Sequence, residues 1–154
     1  MSRLALSKSF HLAPMEILLG QIKPLKFFSV EGNSVKYDLE DRLIDFGSRV
    51  IDVVEALPPT LAGRHLGGQL VRSGTVPALH YGEAQAAESR ADFTHKMKIA
   101  LKELRETKVN LKFILKRKYF PENKLLPLIQ ENDELIAIFT KSISTAQEKL
   151  SKGK

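Results

Sequence analysis

The chain has 154 residues, with 24 lysines and arginines against 18 aspartates and glutamates, and carries a formal net charge of +6 with its histidines neutral. That length suits a single domain whose core can stand without disulfides or metal, and the absence of cysteine excludes disulfides, thiolate zinc sites and cysteine nucleophiles. The apolar runs are short and broken by charges, which excludes a transmembrane helix.

Residues 1–37 read as an irregular N-terminal arm, with Arg3, Lys8, Lys23, Lys26 and Lys36 scattered among apolar residues and prolines at Pro14 and Pro24. The cluster Ile17, Leu18, Leu19 is too short for the apolar stretch of a signal peptide, so a soluble, cytoplasmic protein is expected. Leu25 to Val30 fits a short strand, a segment lying over the rest of the chain, or part of a disordered arm, with a turn at Glu31 to Ser34. Met15 is an alternative start.

From Asp38 the pattern turns helical. Asp38 suits an N-cap, and Leu39, Leu43, Phe46, Val50, Val53 and Leu57 recur at spacings of three and four. Asp41, Asp45, Asp52 and Glu55 take the opposite side, and Pro58-Pro59 stops the helix because neither proline can donate a helical hydrogen bond. A second helix is predicted from about Leu61–Arg64 to Ser89. It is rich in small residues, among them Gly67, Gly68, Ser73, Gly74, Ala78, Gly82 and Ala84. Each glycine costs about 1 kcal/mol of helix propensity against alanine. Such a helix needs close neighbours, so it is placed centrally, with a bend expected at Pro77.

Ser89-Arg90-Ala91-Asp92 reads as a capping box that starts a third helix, Asp92 to Lys118. This helix carries Lys96, Lys98, Lys102, Arg105, Lys108, Lys112, Lys116, Arg117 and Lys118 against Asp92, Glu103 and Glu106, an excess equal to the net charge of the whole chain. At about 100° per residue, Lys98, Lys102, Arg105, Lys112 and Lys116 fall within roughly 80° of one another. Phe93, Met97, Leu101, Leu104, Leu111 and Leu115 centre roughly 110° away. One side packs and the other is a cationic ridge, which points to a polyanionic partner, though a merely solvated surface has the same pattern. The ridge and helix end give Lys98, Lys102, Arg105, Lys108, Lys112, Lys116, Arg117 and Lys118 as candidate RNA or DNA contacts. Tyr119-Phe120-Pro121-Glu122-Asn123 forms a turn, and Leu125, Leu128, Ile129, Leu135, Ile136, Phe139, Ile143 and Ala146 define a fourth helix before a basic tail at 151–154. The reading is all-α: an antiparallel up-down-up-down four-helix bundle over 38–150 with an irregular arm.

Apolar residues outside these stripes remain. Ile99, Val109 and Phe113 flank or interrupt the ridge, and Ile44 and Ile51 lie off the stripe of the first helix. They are candidate contacts between subunits of a homo-oligomer, since each left wet forgoes roughly 1.5–3 kcal/mol of burial; single exposed apolar residues are the plainer account.

Catalytic chemistry finds no foothold. His80 and Glu83 stand i, i+3, but no Glu-x-x-His pair exists to build a di-iron bundle site. Ser73 and Thr75 lack a Gly-x-Ser-x-Gly setting, and Gly63 to Gly68 is not followed by Lys-Ser/Thr and has no preceding strand. No catalytic residue, metal or cofactor is assigned, and the chain is not expected to be an enzyme.

A resemblance to a known family is carried by segments that stand in this order: Tyr37-Asp38-Leu39-Glu40-Asp41-Arg42, Gln69 to Thr75, His80-Tyr81-Gly82-Glu83-Ala84, Ser89 to Phe93, Ile99 to Glu103, and Glu134 to Phe139. Through them the stretch from Tyr37 to Lys149 resembles the four-helix bundle protein family encoded by intervening sequences in bacterial 23S ribosomal RNA genes. The resemblance implies a left-handed up-down bundle assembled as a ring, typically a homopentamer, with no established catalytic activity. A related branch serves as accessory subunit of reverse transcriptases in diversity-generating retroelements. Many relatives have asparagine where His80 stands and glycine where Ala84 stands, and the arm has no counterpart.

Three readings follow, with no membrane partner in any of them. The first is an oligomer that binds nucleic acid through the ridge without reading bases, because lysine dominates and stacking platforms are scarce. The second is an adaptor for a protein such as a reverse transcriptase. The third is a bundle carried as a passenger of its genetic element.

Overall fold

The structure, a computed structural model, describes residues 38–151. The N-terminal arm with its alternative start, and residues 152–154 of the basic tail, lie outside the described residues. Four helices follow in order: α1 (Leu39–Glu55), α2 (Leu61–Gln85), α3 (Arg90–Arg117) and α4 (Glu122–Ser151), with no strand among the described residues.

Each of the first three begins where a side chain can satisfy an unpaired amide. Asp38 Oδ1 accepts from the N–H of Glu40 at 3.0 Å, Thr60 Oγ1 from Gly63 at 3.1 Å, and Ser89 Oγ from Asp92 at 3.1 Å. The predicted caps Asp38 and Ser89 hold. α2 stops at Gln85, short of the predicted Ser89. The N–H groups of Ala86 and Ala87 tighten onto the carbonyls of Glu83 and Ala84, three residues back, and Ser89 is committed to the next helix as its cap. α3 ends on Lys118 at φ 56°, in the left-handed region, with its N–H on the Leu115 carbonyl and that of Tyr119 on Ile114. The expected turn at Tyr119–Asn123 is shorter, since α4 already begins at Glu122.

α1 packs on α2, α2 on α3, α3 on α4, and α4 returns to α1. The register runs in opposite senses along the first two pairs. Gly47 lies against Gly74 and Thr75 while Val54 lies against Gly67; Arg72 reaches Glu103 and Glu106 while Glu83 reaches Lys96. From the short turn after α3, α4 comes back to place Asn132 against the Leu104 carbonyl at 3.0 Å. Arg42 closes the circle, with Nε and Nη2 on the Glu131 carboxylate at 2.6 and 3.0 Å and Nη2 also on Glu134 at 2.5 Å. The hydrogen bond it donates to Glu131, partly opposed by burial, raises the Arg42 pKa and holds its charge.

The predicted stripes fill the core. Leu43, Phe46 and Val50 of α1, Met97, Leu104 and Leu111 of α3, and Leu125, Leu135 and Phe139 of α4 are fully buried. Tyr81 of α2 meets Phe139 edge-on, ring centroids 6.1 Å apart. The glycines of α2 divide. Gly63, Gly67 and Gly74 are buried against α1 or its turn, as a crowded helix requires, but Gly68 is exposed and a Cβ at Gly68 or Gly82 would meet nothing within 4 Å. The expected need for close neighbours therefore holds at Gly63, Gly67 and Gly74 and does not extend to Gly68 and Gly82.

Candidate nucleic-acid interface

α3 packs against α2 on one side and α4 on the other, so its buried face is wider than the predicted leucine stripe. Besides Phe93, Met97, Leu101, Leu104 and Leu111 it buries Ala100, Ile114 and the polar Glu103, Thr107 and Asn110. Leu115 is only half-buried, near the helix end. Thr107 returns its hydroxyl to the Glu103 carbonyl at 2.9 Å. Glu103 accepts from Arg72 Nη1 at 2.8 Å, and Glu106 accepts from Nη2 of the same guanidinium. These carboxylates, foremost Glu106, raise the Arg72 pKa.

This pairing decides the electrostatics of the outer face. Two of the three acids that offset the lysines of α3 in the sequence are tied to a cation on α2. The cations nearest the helix seams are also paired: Lys96 Nζ lies 2.7 Å from Glu83 of α2, and Lys108 Nζ lies 2.6 Å from Asp133 of α4. Lys98, Lys102, Arg105, Lys112 and Lys116 are exposed and have no ion-pair partner among the described residues. The predicted ridge is thus brought together on one surface. Lys108 stands apart at the α3–α4 seam, and Arg117 and Lys118 sit at the helix end, with the Arg117 guanidinium 5.4 Å from the Tyr119 ring centroid. Tyr119 and Phe120 line a shallow cleft with Leu115, Lys118, Pro121 and Glu122.

Of the candidate subunit contacts, Val109 and Phe113 are 54% and 55% exposed amid the ridge, Ile44 and Ile51 are exposed on α1, and Ile99 is half-buried. The His80–Glu83 pair is a surface bridge: His80 Nδ1 lies 3.2 Å from a Glu83 carboxylate oxygen that also takes Lys96. The hydrogen bond from Lys96, and then that from His80, holds the Glu83 carboxyl below its ordinary pKa, while Glu83 raises that of Lys96. Among the described residues no group of three or more histidines and acids could hold a metal ion, and no helix is long and apolar enough to cross a membrane. Arg42 and the Arg72–Glu103–Glu106 cluster escaped the sequence reading. Arg72 and Glu103 sit inside segments that carry the resemblance quoted above, and Glu103 and Glu106 share a helix face by their spacing, but nothing in the chain alone marks Arg72 as their partner.

The profile of the 23S rRNA-intervening sequence protein family matches residues 36–141, more than half of the chain. The chain belongs to that family. It is also similar to a crystal structure from Bacteroides thetaiotaomicron, a protein of unknown function from the S23 ribosomal protein family. The two share 27% identity at a TM-score of 0.64, over 69% of this chain and 98% of that one. No curated protein matches the chain.

Proposed function

We propose that this family member is a non-enzymatic, cytoplasmic homo-oligomer, a pentamer in the family's manner, that binds RNA or DNA through the outward face of α3. The observation that carries the reading is the row Lys98, Lys102, Arg105, Lys112 and Lys116, five exposed cations with no ion-pair partner on one helix face. Lysine-rich and poor in aromatic platforms, that row would contact phosphates and leave base identity unread. Several copies in one assembly would repeat it along one polymer and multiply weak contacts.

The test is retention of labelled RNA and DNA across a salt series. The logarithm of affinity should fall with the logarithm of salt at about 0.7 to 0.9 per phosphate contact. Reversing Lys102, Arg105 and Lys112 to glutamate together should abolish retention and leave helicity intact, because all three side chains are exposed. Retention unchanged in the triple variant, or no salt-sensitive retention of any polynucleotide by the native chain, removes the reading.

A second reading is an adaptor for a protein partner, for example a reverse transcriptase. It is favoured by Val109 and Phe113, apolar side chains more than half exposed within the cationic face. A reverse transcriptase gene beside this one would support the adaptor, and a position inside a ribosomal RNA gene would not.

A further inference from the structure

We infer that the acidic, apolar face of α1 in one copy docks on the cationic, apolar face of α3 in the next, so that copies join head to tail. This rests on the self-association proposed above and deepens it by naming the two surfaces that meet.

Charge complementarity selects the occupant. α1 with its cap carries Asp38, Glu40, Asp41, Asp45, Asp52 and Glu55 against Arg42 and Arg49, and Arg42 is turned toward Glu131 and Glu134 of α4. The outward face of α3 is the reverse, with five exposed cations unpaired among the described residues. Each face also has an apolar line. Ile44 and Ile51, 54% and 38% exposed, stand two turns apart on α1; Val109 and Phe113 stand one turn apart on α3. Pairing α1 with α1 would set carboxylate against carboxylate, and α3 with α3 cation against cation. Only the unlike faces combine apolar contact with opposite charge, and a contact between unlike faces is heterologous.

The positions of the two lines set the geometry. At about 100° per residue, Ile44 and Ile51 lie roughly 120–140° around α1 from its core line. They lie on the side where Gly47 and Val54 meet α2. Phe113 lies roughly 160° around α3 from its core line, on the α2 side where Glu103 and Glu106 reach Arg72, and Val109 lies about 40° beyond it, so the line points nearly straight out of the bundle. The docking surfaces therefore lie on the side of the bundle that carries α2, at an obtuse angle to each other and not opposed. Each copy added then turns the same way, as a closed ring such as the pentamer proposed above requires.

The same wheel divides the cations. Lys102 projects between Val109 and Phe113, with Lys98 and Lys116 beside it, and meets the acids that flank Ile44 and Ile51, among them Glu40 and Glu55. Arg105 and Lys112 point to the far side, toward α4, so that in the assembled form docking narrows the row proposed above for nucleic acid to these two.

Two single variants test the docking. Ile51→Asp removes the α1 face and Phe113→Asp removes the α3 face. By size-exclusion chromatography with light scattering, the native chain should exceed one subunit in mass and each variant alone should fall to one. An equimolar mixture of the two should rise to a two-subunit complex and go no further, because it contains one intact pair of faces. Circular dichroism checks each fold, with Ile51→Ser and Phe113→Ser used where an aspartate form unfolds. A mixture that stays at one subunit, either variant assembling as the native chain does, or a native chain of single-subunit mass at tens of micromolar overturns the inference. An Arg105→Glu, Lys112→Glu form reports separately on nucleic acid: lost retention at unchanged assembly supports that reading, and unchanged retention removes it without touching the docking result.

Discussion

Replacing Gly74 with alanine should destabilise the bundle although alanine is the better helix former. A Cβ at Gly74 would stand 2.6 and 3.0 Å from the two γ-carbons of Val50 and 3.1 Å from its Cβ. Ordinary carbon contacts lie near 3.5–4.0 Å, so the nearest approach is about 1 Å too close. Val50 has no room to yield, being fully buried and β-branched, with its rotamer restricted in a helix. Helix propensity favours alanine by about 1 kcal/mol, while overpacking a filled core costs about 1–3 kcal/mol. The balance is a loss of about 1 kcal/mol, up to about 2 if α1 and α2 must separate. Gly68 supplies the control in the same helix: with nothing within 4 Å of its Cβ, Gly68→Ala keeps the propensity gain and should stabilise by up to about 1 kcal/mol. Urea unfolding of both variants should give shifts of opposite sign. In a Val50→Ala background the obstructing methyls are gone, and Gly74→Ala should turn from destabilising to neutral or better, a coupling measurable by a double-mutant cycle. Equal stabilisation by Gly68→Ala and Gly74→Ala would refute the close α1–α2 approach.

Three further outcomes are expected. Lys118→Gly should stabilise by about 1 kcal/mol, because a non-glycine residue at φ 56° is strained there; an unchanged or lower denaturation midpoint would show that the Lys118 side chain contributes more than the strain it imposes. Arg42→Met should cost about 1–3 kcal/mol by stripping Glu131 and Glu134 of their shared guanidinium, and Arg42→Lys should restore only part of it, since an ammonium cannot span both carboxylates as the planar fork does; a methionine form as stable as the native chain would count against this link between α1 and α4. Burial first, then the Asp38 and Glu40 carboxylates, pushes the Tyr81 phenol from 10.0 up to about 12. The unfolded chain loses that proton first, so the stability Tyr81 contributes is complete below pH 10 and drains away as pH rises toward 12; ultraviolet titration of the folded chain should find Tyr81 still protonated where an ordinary phenol has ionised, and titration near 10 would place it outside the core.

Helix existence was legible because it depends on local repetition. The stripe from Leu39 to Val53, the caps Asp38 and Ser89, and the stop at Pro58-Pro59 each act within a turn or two of their own position, and all appear as read. The cationic ridge was legible for the same reason, since the angular sorting of Lys98, Lys102, Arg105, Lys112 and Lys116 follows from helical pitch alone. The end of α2 was misplaced because Ser89 suits both the tail of one helix and the cap of the next, and a capping hydroxyl can serve only one of them.

What the sequence by itself determined is therefore the number of helices, their buried stripes and the helix on which the cations gather. Only the tertiary structure decided which charges stay free. Glu103 and Glu106 look in the sequence like partial neutralisers of the ridge, yet Arg72, about thirty residues away, takes both. Lys96 and Lys108 count in the sequence toward the charge of the same helix, yet Glu83 and Asp133 on neighbouring helices claim them. The glycines of α2 divide in the same way: Gly74 lies against Val50 and Gly68 faces open space, although both are glycines on one helix. Helical pitch sets where a side chain points, but its partner is set by the neighbouring helix and its register, and those are contacts between residues far apart in the chain.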